Sequence, residues 1–399
     1  VRRNIKYIKQ GGGANQSTLR QYNERAILSL IRRHGPLAKA ELAKLTGLSA
    51  QSMSVIMRGL EQDGLLLRGK SLKGKVGQPS VPMALNPDGV FTLGLKIGRR
   101  RAEIVLMDFS GAIRCSKSIT YLYPVAENII AFAQEMLPDI TAYLSPDLRS
   151  KIIGLGIAMP DELWNWSEEI GAPQHDIDSW HQIDLADEIG KFCAYPITIQ
   201  NDATAACGAE LVFGLGSQLT DFSYIFIGFF IGGGLVLNHS IFSGPQGNAG
   251  AIGSMPIIGP DGKLAQLIDH ASVALLERQL KQADVSPEFL WQSLNDWRQH
   301  ETHIQHWIDY IAKYIAIAII SSCSVVDFKH VVIDGAFPAN IREKVVAAIA
   351  QAVQEIDLQS IVVPSVEEAI INHDPRVVGS ACLPLFEHYL LDQSLLFKS

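Results

Sequence analysis

The sequence predicts a small helix-rich module with a β-wing, followed by a larger α/β body of two lobes. Three observations carry this: apolar and capping residues at helix-turn-helix spacing before residue 86, apolar strands alternating with helices beyond residue 90, and a charge balance that reverses between the two parts. Hydrophobic residues make up 47% of the 399 and charged residues 19%, which supplies a core and excludes a disordered, collagen-like or disulfide-scaffold chain. The net charge of −7 is an average over unlike parts. Residues 1–80 hold fifteen bases against four acids, a balance of +11, and the remainder holds nineteen bases against thirty-seven acids, a balance of −18. That asymmetry reads as a basic module for a polyanion joined to an acidic body.

The first helix starts at Gln21, carries Ala26, Ile27, Leu30 and Ile31 at three-to-four spacing, and stops at Gly35 and Pro36. A short second helix covers 39–46, with Leu42 and Leu45 inward and Gly47 as its C-cap. Ser49 is a good N-cap for a third helix bearing Met53, Ile56 and Leu60 on one face and closed by Asp63 and Gly64. Two strands, 65–68 and 80–85, flank the polar, basic loop 69–78 and form a wing. The division is thus a basic flexible segment at 1–20, a winged helix-turn-helix DNA-binding domain at 21–86, and a body at 90–399.

The third helix would enter a major groove and the wing would lie beside the backbone. Its outward face presents Gln51, Ser52, Ser54 and Arg58, next to the capping Ser49. A glutamine amide can pair with an adenine edge and a serine can contact any base. Lys39, Lys44, Lys70, Lys73 and Lys75 supply salt-sensitive phosphate contacts. Each lysine alone reads as a solvated surface charge; the arrangement is what points to double-stranded DNA.

In the body, strands are expected at 91–97, 102–108, 152–158, 197–200, 224–229, 235–237 and 331–333, alternating with helices such as 131–144 and 308–322. The apolar stretch 311–326 contains Lys313, falls short of the roughly 20 residues that cross a bilayer, and reads as a buried helix. Cys115, Cys193, Cys207, Cys323 and Cys382 are scattered without a C-x-x-C pair, which fits a reducing, cytoplasmic setting. The polar, basic first residues form no apolar leader.

The runs Asn23-Glu24-Arg25-Ala26-Ile27-Leu28, Gly35-Pro36-Leu37-Ala38-Lys39-Ala40-Glu41-Leu42-Ala43 and Thr46-Gly47-Leu48-Ser49, with Gly77-Gln78-Pro79-Ser80 in the wing, resemble the DNA-binding half of the ROK family of repressors, open reading frames and kinases. Gln78 stands where family repressors usually carry Arg, so its wing contact is altered. The resemblance continues through the body and implies an actin-like ATPase fold of the sugar-kinase type, with a ligand cleft between lobes. Gln200-Asn201-Asp202-Ala203-Thr204-Ala205-Ala206 resembles the family's Asn-Asp-Ala-x-Ala-Ala motif, whose Asp is the proton acceptor in kinases. Asp202 is therefore at a vestigial base position, able to accept a hydrogen bond from a ligand hydroxyl without chemistry. Gln174 stands in an Ala-Pro-Asn-like segment that reaches the sugar, followed by a long loop bearing His175, Asp176 and Asp178. The resemblance implies effector contacts at Gln174, Asn201, Asp202, Gly233, Gly234 and Ser254.

The departures from the family pattern shape the functional expectation. Lys96 replaces the metal-placing Asp of the first phosphate turn, and Arg99, Arg100 and Arg101 follow it, read as a phosphate clamp or, more ordinarily, a solvated hairpin edge. Phe229 and Phe230 sit in the second phosphate motif, ahead of Gly232, Gly233 and Gly234, and would fill phosphate space. Asp334-Gly335-Ala336 is poorer in glycine than the family's adenosine turn. Ala251 and Ser254 replace a sugar-contacting Glu and a His near the zinc site, and the cysteine-rich zinc segment is replaced by residues 259–270, where Asp269 and His270 are too few as ligands. His270 reads as a polar residue at a helix start.

The expectation is a sequence-specific transcriptional regulator, a repressor of carbohydrate genes by family analogy, controlled by a sugar or sugar-derived effector. It acts as a homodimer or homotetramer, with no catalytic residue, no zinc, no ATP and no membrane partner. The competing readings are a sugar kinase with a DNA-binding appendage and a ligand-independent structural DNA binder.

Overall fold

The computed structural model describes residues 16–70, 81–161, 163–292 and 297–391. Three helices open it: α1 (Gln16–His34), α2 (Lys39–Thr46) and α3 (Ala50–Gln62). Helix α1 starts ahead of the expected Gln21, so part of the segment expected to be flexible is helical. Its first turn is polar and has no apolar period to reveal it, but Arg20 and Glu24 pair one turn apart at 2.8 Å. Residues 1–15 lie outside the described residues. Between α2 and α3, Gly47 takes φ 70° and donates its N–H to the Ala43 carbonyl, a left-handed turn that a residue with a Cβ enters only at a cost. Ser49 then caps α3, its hydroxyl accepting from the Ser52 N–H at 3.1 Å.

Ile27, Ile31, Leu42, Met53, Met57 and Leu60 close the module's core. Leu45, expected inward, is 53% exposed, because α2 has eight residues and is anchored through Leu42. Three short strands, β1 (Leu37–Ala38), β2 (Leu66–Arg68) and β3 (Pro82–Leu85), pair antiparallel in the order β1-β3-β2. Strand β1 was not foreseen: two residues after a proline carry no pattern, and its partner β3 lies far along the chain. The wing loop 71–80, with Lys73, Lys75 and Gln78, lies outside the described residues.

The body repeats one topology. In the first lobe, β4 (Phe91–Ile97), β5 (Arg101–Asp108) and β6 (Ile113–Thr120) form an antiparallel meander; then α4 (Ala126–Ala142), β7 (Ile152–Met159) and β8 (Ile197–Asn201) extend the sheet in parallel, giving β6-β5-β4-β7-β8. The second lobe comprises β9 (Phe222–Ile227), β10 (Ile231–Leu237) and β11 (Ser240–Ile241), a side hairpin of β12 (Pro256–Ile258) and β13 (Leu264–Gln266), then β14 (His330–Gly335) and β15 (Ser365–Glu368). Its main sheet runs β11-β10-β9-β14-β15, with the same sequence of antiparallel and parallel pairings. Strands β4 and β9 are buried along their whole length, which is why they read as continuous apolar runs. Loops at the carboxyl ends of β4, β7, β8 and β9 converge on one cleft, where ligands of open α/β sheets bind.

The apolar stretch expected at 311–326 belongs to a longer helix, Glu301–Val326, which by length and composition alone could cross a membrane. Trp307, Ile308, Ile311 and Ile315 on it are fully enclosed in the second lobe's core. A third core joins the module to the body: Ile27, Leu28 and Ile31 of α1 pack with Phe109, Val377 and Leu385. Val377 and Leu385 lie on the helix Pro375–His388, which runs under the first sheet. Its approach is close enough that a Cβ at Gly156 would fall 1.9 Å from the Ser380 carbonyl oxygen and one at Gly379 would fall 2.1 Å from that of Ala205.

Candidate functional site

The interlobe cleft encloses about 610 Å³ and is walled by Trp164, Trp166, Phe229 and Phe230, with Asn201 and Asp202 on its floor. Strand β8 delivers these last two at the start of the helix Asp202–Phe213. Asn201 is the N-cap: its Oδ1 accepts from Ala203 and Thr204 N–H at 3.0 and 3.1 Å, and its Nδ2 donates to Asp161 at 3.1 Å. Capping fixes the side chain, so the cleft floor is preorganised.

Asp202 belongs to a cluster of two cations and two anions in which Lys96 is buried and Asp202, Asp374 and Arg376 are partly buried. Arg376 makes paired hydrogen bonds to Asp374 at 2.9 and 2.8 Å, lies 3.8 Å from Asp202, and covers the Phe226 ring at 4.6 Å from its centre. Lys96 reaches Asp374 at 3.5 Å. Burial raises the Asp202 carboxyl above the ordinary carboxylate value, while Arg376 and Lys96 pull it back. Burial lowers Lys96, reinforced by Arg376; Asp374 stays below the usual range because Arg376 and Lys96 outweigh its burial. Sequence reasoning found Lys96 and Asp202 but missed Asp374 and Arg376. The signal was present: Asp374 followed by Pro375 is an N-cap and first-turn pair, and Arg376 is a charge opening a helix that is largely apolar as far as Phe386.

The arginine turn after Lys96 corrects the expectation of a solvated edge. Arg99 is buried, its guanidinium 3.7 Å from the centre of the Phe229 ring and bonded to Glu277 at 2.6 and 3.3 Å. Arg100 covers Trp291 at 4.0 Å. Both partners belong to the second lobe, so the turn clasps the lobes together across the cleft mouth. Arg101 alone keeps the expected role, half-exposed and paired with Glu103 on its own strand. Phe229 does fill space beside the cleft, as a platform for Arg99, and Phe230 packs edge-on against Trp166.

Of the proposed effector contacts, Asn201, Asp202, Gly233 and Ser254 line the cleft, with Ala251 beside them. Gln174 does not: it is exposed, and its amide is engaged by Ser167 and Asp178 at the start of the short helix Gln174–Asp178. His175 pairs with Asp176 at the surface of the same loop. Gly234 does not line the cleft either; a Cβ there would lie 2.5 Å from the Cys207 Cβ, so it serves close packing. Residues 259–262 form the turn of the β12–β13 hairpin, closed by the Gly259 N–H to the Lys263 carbonyl. His270 ends the short helix Leu267–His270, bonded to the Tyr310 hydroxyl at 2.7 Å and close to Tyr314. Asp334, in the glycine-poor turn, is bonded to Tyr224 and Arg342.

On the module, Gln51, Ser52 and Arg58 are exposed on α3 and Ser54 is half-buried. Ser49 is engaged as the cap, with its Oγ 3.0 Å from that of Ser52. Lys39, Lys44 and Lys70 are exposed. Val55, 58% exposed on the same face, was missed. An apolar side chain left in water on such a helix suits a thymine methyl, and its position one turn after Gln51 was the available signal.

The geometry therefore defines a class: a winged helix-turn-helix DNA-reading module mounted on a two-lobed, sugar-kinase-like actin fold. The model of the ROK family matches residues 92–385, and that of the MarR family matches 20–74. The chain belongs to the ROK family. It is 24% identical to the xylose repressor of Bacillus subtilis over 61% of this chain and 62% of that protein, so it spans less than two thirds of that relative. It is 23% identical to an uncharacterized protein of Sinorhizobium fredii over 92% of this chain and 91% of that one. A solved ROK family transcriptional regulator, a homologue of the E. coli MLC protein, superposes with a TM-score of 0.67 at 19% identity, covering 96% of this chain and all of that one. A ROK family glucokinase from Streptomyces griseus gives a TM-score of 0.57 at 21% identity over 73% of this chain and 98% of that one.

Proposed function

We propose that this protein is a transcriptional repressor whose DNA affinity is set by a sugar or sugar-derived effector in the interlobe cleft. One observation carries the coupling. The helix Pro375–His388 presents Arg376 to the cleft at its first turn, while at its other end the guanidinium of Arg25 on α1 donates to the carbonyls of Glu387 at 2.6 Å and of Phe386 and Leu390 at 3.4 Å. A cation capping free carbonyls at a helix C-terminus is favourable in charge and hydrogen bonding. Fourteen residues make this a strut about 20 Å long between cleft and DNA reader. An effector that binds one position of the strut better than another shifts DNA affinity by the same free energy.

The effector contacts proposed are Asn201, Asp202, Gly233 and Ser254, with Trp164 and Trp166 offering apolar faces to a sugar ring. DNA contacts are assigned to Gln51, Ser52, Ser54, Val55 and Arg58 for bases, and to Lys39, Lys44 and Lys70 for phosphates. Two half-sites imply a homodimer or homotetramer.

The kinase reading has Asp202 in its favour. Against it, Lys96 and Arg376 already neutralise Asp202 and Asp374, leaving no net negative charge there to hold a divalent metal. Arg99 on Phe229 occupies the turn where phosphates approach in kinases of this family. The hairpin turn at 259–262 closes through backbone and Asp261 contacts, which supports a reading without zinc. A sugar panel tests the reading: thermal shift identifies the ligand, and incubation with ATP and magnesium checks turnover. Stabilisation without phosphorylation is the expected result; turnover abolished in Asp202→Ala establishes the kinase instead.

A further inference from the structure

A second crevice lies where α1 meets the body, remote from the interlobe cleft in its residues and independent of its reading. It encloses about 390 Å³ and is lined by Arg32 and Arg33 of α1 together with Ser110, Phe213 and Ser217 of the body. A smaller cavity bordered by the same two arginines adds His239.

Arg32 is the unusual group. Its guanidinium lies between two rings, 5.0 Å from the centre of Phe109 and 5.3 Å from that of Phe213, and its Nε and Nη1 are enclosed without a hydrogen-bond acceptor. Ring faces offset part of the charge, but they leave in-plane N–H groups unsatisfied, and a desolvated guanidinium is costly without an acceptor. Burial pushes it down to about 10. Asp108, whose charge Arg32 feels, is already engaged by Arg114 at 2.5 Å, by the Ser110 hydroxyl and N–H, and by the Ala112 N–H. Among the described residues neither Arg32 nor Arg33 has an ion pair. Arg33 instead meets His239, its Nη1 3.4 Å from the imidazole Nε2, which must then be the acceptor. His239 sits at φ 56° in the tight β10–β11 turn, which holds the ring toward Arg33. Two cations and an accepting imidazole thus border these two cavities, and the nearest acids, Asp108 and Asp221, act on them only at a distance, without an ion pair among the described residues.

We propose that this crevice binds a small oxyanion, the carboxylate or phosphate group of a metabolite, through Arg32 and Arg33. A guanidinium fork matches either acceptor, and the volume admits more than the anionic group alone. Because Arg32 belongs to α1 and its ring partners to the body, the anion binds across the joint between DNA reader and ligand body.

Isothermal titration of the intact protein with inorganic phosphate and, separately, with succinate tests this and distinguishes the two sources, in chloride buffer of matched ionic strength. At least one anion is expected to bind with one site per chain. Arg32→Met, which keeps an apolar stem between the rings, weakens it at least tenfold. Should that variant fail to fold, Arg32→Lys decides, since it keeps the charge without the planar fork and is expected to lose affinity likewise. Absence of binding beyond chloride, or equal affinity in the substituted protein, overturns the proposal.

Discussion

The Arg99 guanidinium sits over Phe229, 3.7 Å from the ring centre, while its fork holds Glu277. One side chain of the first lobe is thus gripped by two groups of the second. Removing it strands a buried carboxylate, although Lys281 at 2.8 Å still pairs with Glu277. Arg99→Ala is therefore expected to destabilise the protein by about 2–4 kcal/mol. Arg99→Lys should recover little, since it lacks the plane and the fork. Urea denaturation gives the answer, and an unchanged midpoint in Arg99→Ala would mean that the clasp is not closed in solution.

Glu210 gives a pH signature. It is fully enclosed, one oxygen accepting the Leu215 N–H at 2.8 Å, and burial pushes it up to about 7 from 4.5. A raised carboxyl means that the folded chain holds its proton longer than the unfolded one. Its contribution to stability is full below about pH 4.5 and is lost as pH rises to about 7, a change of roughly 3 kcal/mol. Glu210→Gln should abolish that decline and leave the protein more stable than wild type at pH 8. Thermal melts across pH 4–8 that keep the same slope in the variant would contradict the assignment.

The two classes of DNA contact separate by salt. Gln51→Ala and Val55→Ser should lower discrimination among sequences, each by about 1–3 kcal/mol at one base position. Lys39→Ala and Lys70→Ala should weaken all duplexes alike and reduce the salt slope by about 1 each. Binding titrations at several salt concentrations, on selected and scrambled duplexes, resolve these patterns. A lysine variant that changes sequence preference would remove that lysine from the phosphate group of contacts.

Gly379 tests the seating of the strut. A methyl group there would press on the Ala205 carbonyl oxygen at 2.1 Å, and backbone cannot yield as a flexible side chain can. Gly379→Ala is expected to cost about 1–3 kcal/mol by overpacking. Thermal unfolding measures it; a melting temperature equal to wild type would show the helix free to move away from the sheet.

The elements that could be read from sequence were those with local signals. Gly47, Ser49 and Gly64 mark helix ends by backbone preference and capping, and the buried strands β4, β7 and β9 announce themselves as apolar runs. Strands β1 and β15 escaped because their partners are distant in sequence, β11, β12 and β13 because they are very short, and β6 because its residues are mostly polar and partly exposed at the sheet edge. The cleft shows the same division. Asn201 and Asp202 sit in a contiguous motif, whereas Asp374 and Arg376 reach them only through the fold. Arg99 was misread because three arginines at a turn look solvated until Phe229 and Glu277 arrive from the other lobe. Gln174 was misplaced because its neighbours Ser167 and Asp178 take up its amide.

The central claim is that cleft and DNA reader communicate through the helix Pro375–His388 and its Arg25 cap. The direct measurement is the affinity for a selected operator duplex, by fluorescence anisotropy, with and without a saturating sugar ligand identified by thermal shift. The account predicts a change of at least about fivefold in wild type, and loss of that change in Arg25→Ala while the ligand still binds. A ligand that stabilises the wild-type protein from within the cleft yet leaves its operator affinity unaltered would contradict it.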